Sequence, residues 1–202
     1  MATIVLVRHA TTAATGKRLG GRTPGAHLDA KGIEQAQATA ARLAGLPIVA
    51  VHTSPMERTR ETAAIVAAPH GLEPVVHDGL NEVDYGAWSD KTLKQLRTRK
   101  LWPTIQHTPS RVTFPGGESI RAAQARAVEA VEELAGAHAG TMLVVVSHAD
   151  VIKAVVAHYL GTHLDQFQRI VIQPASATVL HLPAGGRPAL VRLNDTGPLG
   201  GD

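Results

Sequence analysis

Arg8-His9, Arg58, Glu82 and Ser147-His148 are the residues of this chain whose types could do chemistry together. Each follows, within a turn or two, a short run that reads as a β-strand: Thr3–Val7, Ile48–Val51, Pro74–His77 and Met142–Val146. In a chain where strands alternate with helices, the carboxyl ends of parallel strands open onto one crevice. Two arginines, two histidines and a carboxylate should therefore converge there. Guanidinium groups bind phosphate oxygens through paired N–H donors, and an imidazolium adds another charge-assisted donor. Phosphoryl transfer asks chiefly for such positioning and charge stabilisation. A histidine can also act as nucleophile and split one displacement into two. A carboxylic acid then protonates the departing oxygen and, as carboxylate, activates water.

Taken singly, each residue has a plainer account. An Arg-His pair after a strand commonly opens a solvated loop, His148 fits a satisfied histidine at a strand exit, and a loop glutamate such as Glu82 is generally just solvated. Arg58 is harder to dismiss, because a cation in the first turn of a helix is disfavoured by roughly 0.3–1 kcal/mol. Either Glu57 and Glu61 neutralise it, or the helix N-terminus and the guanidinium face an anion together. Convergence from four strand ends is the stronger argument, since otherwise four independent plain accounts must all hold.

The elements that must position these residues are legible from pattern. Asp29–Gly45 predicts a helix with Asp29 as N-cap and Ile33, Ala36, Ala40 and Leu43 on one face. Ser54-Pro55-Met56-Glu57 fits a capping box, with Ser54 at N-cap and Glu57 at N3, opening a helix that ends before Pro69. Glu118–Ala135 predicts an amphipathic helix with Ile120, Val128, Val131 and Leu134 on its stripe, and Asp150–Leu160 one capped by Asp150. Thr178–Leu182 and Ala189–Leu193 flank a Pro-Gly turn and should pair antiparallel. Between Asp78 and Gly117 the chain is polar and aperiodic and holds both tryptophans. We read residues 79–117 as a cap insertion with a helix near Ser89–Lys100. The tail after Asn194 is rich in Gly and Pro and is expected to be loose. The whole predicts an α/β fold: one domain spanning residues 1–202, with a mostly parallel sheet between helices, an antiparallel edge strand and a cap.

Composition narrows the function. At 202 residues, 44% hydrophobic and 18% charged, the chain is too apolar for disorder and suits one domain. Arg8 interrupts the first apolar run and Ser147–Asp150 the longest, so no stretch approaches the ~18 residues of a membrane span. Met1-Ala2-Thr3 lacks the basic start of a signal peptide. With no cysteine, a disulfide scaffold, a zinc–thiolate site and a cysteine nucleophile are excluded, and a reducing compartment is permitted. The expected location is cytoplasmic. A net charge of +3 without a long basic run, and 3% aromatic residues, argue against nucleic acid. His158 and His163 lack companions at metal-ligand spacing, and neither metal nor cofactor is expected. Lys91, Lys94, Arg97, Arg99 and Lys100 read as a solvated face rather than an anion funnel, and Trp88 and Trp102 as cap packing rather than stacking platforms.

V-R-H-A at Val7–Ala10, S-P-M-E-R-T-R-E-T-A at Ser54–Ala63, L-N-E-V-D-Y-G-A-W at Leu80–Trp88, P-G-G-E-S at Pro115–Ser119 and S-H-A-D-V-I at Ser147–Ile152 resemble, in order and spacing, the histidine phosphatase superfamily, its phosphoglycerate mutase-like branch. The resemblance covers essentially the whole chain. It implies a three-layer α/β/α sandwich and a transient phosphohistidine, with His9 as nucleophile and Glu82 as proton donor. Arg8, Arg58 and His148 become the pocket for the phosphoryl oxygens. Ala10 and Ala149 stand where glycine is common, both small enough for phosphate to approach the backbone. Thr15 stands where many members place Asn, and its hydroxyl could donate to phosphate. Gly20-Gly21 either presents backbone N–H groups to substrate or simply turns the chain. Thr15, Gly21 and Ala149 are the candidate binding residues, and Arg22 is an extra cation without an assigned role. The resemblance implies a metal-independent phosphomonoester hydrolase acting on a small phosphorylated metabolite. A phosphomutase is the alternative, a non-catalytic phospholigand-binding module the second, and the sequence leaves a homodimer open.

Overall fold

The computed structural model describes residues 2–197. Six strands form one sheet in the order β3-β2-β4-β1-β5-β6: β1 (Ala2–Arg8), β2 (Ile48–Thr53), β3 (Val75–Val76), β4 (Met142–Ser147), β5 (Ala177–Leu182) and β6 (Ala189–Asp195). The first four strands run parallel; β5 is antiparallel to both β1 and β6. The antiparallel pairing at this end thus comes from β5, with β6 lying outside it. Helices cover both faces, as the three-layer α/β/α reading expects.

The apolar runs of β1 and β4 are buried on both sides, and their alternation sorts them between two cores. Val5, Val7, Val144 and Val146 pack with Ala40 and Leu43 of α1 (Ala30–Leu43) and with Ala63 and Val66 of α2 (Glu57–Ala67). Ile4, Leu6, Leu143 and Val145 face the other way, against α5 (Ile120–Ala137) and α6 (Ala149–Tyr159). Each such side chain contributes about 1.5–3 kcal/mol on burial. The register pairs Arg8 with Ser147, so the chain leaves β1 and β4 side by side. The β2 strand lies against β4, with Thr53 opposite Val146.

Several local expectations hold. Asp29 caps α1 by accepting the Gly32 N–H at 2.7 Å, and the predicted stripe of α5 is buried. Others are corrected. Helix α2 opens at Glu57 without a side-chain cap. Ser54 is not its N-cap, because the hydroxyl is 2.8 Å from His148 Nε2 and only 3.4 Å from the Met56 N–H. Helix α6 starts at Ala149, and Asp150 binds Tyr85 and Lys153 instead of capping. The third strand shrinks to two residues. No long helix spans 89–100: α3 covers only Leu93–Leu96, with a Thr92/Gln95 capping box, and α4 (Trp102–His107) follows. Between them Arg97, Thr98, Arg99 and Lys100 are all exposed, leaving no apolar stripe to hold a longer helix. Strand β6 runs to Asp195, and residues 198–202 of the Gly- and Pro-rich tail lie outside the described residues. Among the described residues no helix is long and apolar enough to cross a membrane.

Gly32 sets how closely α1 approaches the loop after β1. A Cβ there would sit 2.1 Å from the Thr11 carbonyl oxygen, far inside van der Waals contact. Helix propensity favours Ala over Gly by about 0.8–1 kcal/mol, whereas forcing atoms into a packed site costs about 1–3 kcal/mol or more. Gly32→Ala should therefore lower the urea midpoint. Gly136→Ala, in α5 with nothing within 4 Å of the added carbon, should raise stability by about 0.4–1 kcal/mol. Equilibrium unfolding of the pair checks the opposite signs.

Candidate active site

His9 leaves β1 with its N–H donating to the Ser147 carbonyl at 2.9 Å, one rung beyond the strand. Its Nδ1 lies 2.8 Å from the Ala10 carbonyl. A carbonyl only accepts, so Nδ1 carries the proton and Nε2 keeps its lone pair. The ring is buried, with 7% exposure. Burial first, then Arg58 and Arg8, bring its pKa down to about 3. The imidazole is neutral near pH 7, the form in which a histidine can attack.

Arg58 is the second residue of α2 and is buried. Its Nη2 donates to the Gly21 carbonyl at 2.8 Å and lies 3.2 Å from His148 Nδ1. Guanidinium nitrogens only donate, so His148 accepts at Nδ1 and donates from Nε2 to Ser54 Oγ at 2.8 Å. Burial, Arg58 and His9 hold the His148 pKa well below the usual histidine range. Its ring meets that of His9 edge-on, centroids 5.4 Å apart. Arg8 donates through Nη1 to the Ile172 carbonyl at 2.7 Å. Among the described residues, Arg58 Nη1 and Arg8 Nε are buried donors with no partner. Leaving such groups unmatched is costly, and an anionic oxygen is their natural complement.

Glu82 approaches from the loop after β3, its Oε2 3.6 Å from His148 Nδ1. Burial, reinforced by Asp150, raises its pKa to about 7; Arg58, the Val83 N–H and Arg8 pull weakly the other way. A carboxyl group poised there can give a proton and take one back. The loop is held by residues to which sequence reasoning gave no role. Arg126 donates to the carbonyls of Gly79 (2.7 Å) and Asn81 (3.0 Å), and Arg22 to that of Glu82 (2.9 Å). Both cations are braced on Glu118 Oε1, at 2.8 and 3.0 Å, which also takes the Asp84 N–H. The only sequence signal was Glu118 inside the Pro115–Ser119 motif; Arg126 sits on the polar side of an amphipathic helix, where cations are ordinary.

His9, Arg8, Arg58 and Glu82 line one end of a chamber of about 350 Å³. Thr15 and Ala149 line it too. The Thr15 hydroxyl is 2.9 Å from the Thr12 N–H and 3.2 Å from the Thr12 hydroxyl. Gly21 is buried and is not among the lining residues; it serves Arg58 through its carbonyl. It adopts φ +56, and a Cβ there would meet Ser89 Oγ at 2.8 Å. Asp150 accepts from Tyr85 Oη at 2.9 Å and from Lys153 Nζ at 3.2 Å. Burial alone would raise its pKa, but Lys153, the tyrosine hydroxyl and Arg8 outweigh it and keep it low. The five basic side chains of 91–100 are exposed. Trp88 and Trp102 both line the chamber.

A neutral imidazole with a free lone pair, two guanidiniums with spare donors and a carboxyl group ionising near pH 7 suit phosphoryl transfer. Comparison with known proteins agrees. The family model of the histidine phosphatase superfamily (branch 1) matches residues 4–196. Phosphoserine phosphatase 1 of Hydrogenobacter thermophilus is 30% identical over 99% of this chain and 95% of its own. The bifunctional protein Rv2228c of Mycobacterium tuberculosis is 31% identical over 97% of this chain but 54% of its own, so the chain spans about half of that relative. Bacillus stearothermophilus YhfR superposes with a TM-score of 0.90 at 27% identity, covering 96% of this chain and 98% of its own. This chain belongs to the histidine phosphatase superfamily, branch 1, and is a phosphatase acting on phosphomonoesters.

Proposed function

We propose that the phosphoryl group passes through His9 on its way to water. The observation that carries this is the Nδ1–Ala10 carbonyl hydrogen bond at 2.8 Å, which fixes the tautomer and leaves Nε2 as the attacking atom. In the first step a P–N bond forms at Nε2 while the ester P–O bond breaks, and Glu82 gives its proton to the departing alkoxide. In the second, water attacks phosphorus, Glu82 takes the water's proton, the P–N bond breaks and inorganic phosphate leaves. Arg58 and Arg8 meet the phosphoryl oxygens with the donors they otherwise leave unpaired, and His148, fully buried with its ring nitrogens engaged by Arg58 and Ser54, acts by holding Arg58 in place. Thr15 and the backbone near Ala149 border the substrate, and residues 79–117 act as the cap over it.

The substrate is a small phosphorylated metabolite. A phosphomutase would return the group from His9 to a second hydroxyl; the phosphatase named among the relatives supports hydrolysis. The presence of His9 and Glu82 with matched ionisation disfavours a mere binding module. The cytoplasm suits a chain without cysteine, and we retain it as the location.

Rapid quench with a ³²P-labelled ester should trap an acid-labile, base-stable phosphoenzyme that vanishes in His9→Ala. Label that persists in the variant would remove His9 from the reaction. Since no group of three or more metal-ligating side chains occurs among the described residues, chelators should leave turnover unchanged.

Glu82→Gln should slow phosphorylation of His9 by an alkyl ester by about 10²–10⁴-fold. Phosphorylation by an aryl ester, whose phenolate departs unaided, should fall far less. For the alkyl ester, wild-type kcat/KM should decline as pH rises through about 7, where Glu82 loses its proton. The profile needs correction for the ester's own ionisation near about pH 6. His9, with its pKa near 3, should contribute no acid limb above pH 5. Single-turnover bursts across pH separate this step from dephosphorylation; equal losses for both ester types would exclude Glu82 as the donor.

A further inference from the structure

Glu82 has little of its own to hold it. Its Oε1 takes the Val83 N–H at 3.0 Å, and its own N–H donates to the Asn81 side chain at 2.8 Å. Both partners are chain neighbours that move with it. Strand β3 ends at Val76, and residues 79–84 lie outside the sheet. The carboxyl group is therefore only as well placed as the main chain that carries it. A misplacement of ~1 Å can cost on the order of 100-fold in rate.

Two arginines fix that main chain, and they do different things. Arg126 closes the loop through the Gly79 and Asn81 carbonyls and is braced on Glu118. It approaches the Glu82 carbonyl only to 3.5 Å, the outer limit of a hydrogen bond. Arg22 addresses that carbonyl directly, with Nε at 2.9 Å, while its Nη2 rests on Glu118 Oε1 at 3.0 Å. A planar guanidinium spans two such acceptors in fixed geometry. The segment carrying Arg22 is itself pinned along α2. There the Gly25 N–H donates to Glu57 at 3.1 Å and the Leu28 N–H to Glu61 at 2.8 Å. One residue before Arg22, the Gly21 carbonyl receives Arg58 at 2.8 Å. Arg22 is not among the residues lining the chamber, so its part is not to touch substrate. The plain account is that it adds stability to a loop. Its partners say more: it joins the main chain of Glu82 to the segment that holds Arg58. We infer that Arg22 is a positioning residue for the proton donor, acting through the Glu82 carbonyl to keep the carboxyl group in place relative to Arg58. This rests on the reading of Glu82 as the acid and adds what keeps that acid in place.

Single-turnover phosphorylation of His9 by an alkyl and an aryl phosphate tests this on the full chain. Arg22→Ala should slow the alkyl ester by about 10- to 100-fold and the aryl ester far less. Arg22→Lys, which keeps the charge but not the fork, should recover part of the alkyl loss. Combined with Glu82→Gln, Arg22→Ala should add no further alkyl loss, because a residue acting only through Glu82 then has nothing to position. Equal losses for the two esters, or losses that multiply in the double variant, would reduce Arg22 to a structural brace and leave the Glu82 reading intact. If Glu82→Gln alone slows both esters alike, the proton-donor reading falls, and this inference with it. Should Arg22→Ala not fold, Arg22→Lys carries the same comparison: an alkyl-selective loss supports the positioning role and a uniform one overturns it.

Discussion

The pairing of β1 with β4 is the constraint on which the site depends. Arg8 lies opposite Ser147, and the ladder continues one rung to the His9 N–H and the Ser147 carbonyl. That rung places the two histidine rings edge to face. The same strand carries β2 on its other side, and the Ser54 N–H donates to the Val146 carbonyl at 3.1 Å, so α2 and its Arg58 arrive at the same end. A slip of one residue would turn every strand side chain to the opposite face. Two distinct cores, one behind each face, make that slip prohibitive. Register, burial and the geometry of the candidate site are therefore a single problem with a single solution.

Burial then sets the chemistry. Taking Arg8, Arg58, His9, His148 and Glu82 out of water penalises the charged form of each. For the histidines the result is neutrality, and for Glu82 it is a proton retained to about pH 7. The arginines stay charged, and backbone carbonyls of Gly21 and Ile172 receive part of their donor capacity. The rest is left for an anion. Burying charged groups in this way is destabilising to the fold that carries them. The hydrophobic cores on both sides of the sheet must supply the compensating stability.

Control of Glu82 is spread over distant parts of the chain. Consecutive residues of the first loop act on both halves of the machinery: Gly21 holds Arg58 by its carbonyl, and Arg22 holds the carbonyl of Glu82. Arg126 and Glu118 complete the brace. Asp150 adds a nearby negative charge that favours the protonated carboxyl, while Lys153 and Tyr85 keep Asp150 itself ionised. Position and proton affinity of the acid are thus set by different neighbours.

Periodicity by itself determined the sheet-and-helix alternation, the α1 cap at Asp29, the apolar stripe of α5 and the convergence of Arg8, His9, Arg58, Glu82 and His148. These follow from local rules: which residues fit a buried strand, which cap a helix, and where parallel strands end. Tertiary structure alone decided the tasks of residues whose local reading had a competitor. Ser54 and Asp150 are good caps in isolation, but a histidine and a tyrosine with a lysine claim them across the site. Arg22, Arg126 and Glu118 are ordinary surface charges in the linear chain and become a brace only when a loop and a helix meet. Residues 79–117 were the least legible part. Helices α3 and α4 are too short to carry a periodic signal, and Tyr85, Trp88 and Phe114 pack on one another within a core that Phe167, far along the chain, also joins. A local pattern records what a segment must bury; which partner buries it is written only in the folded contacts.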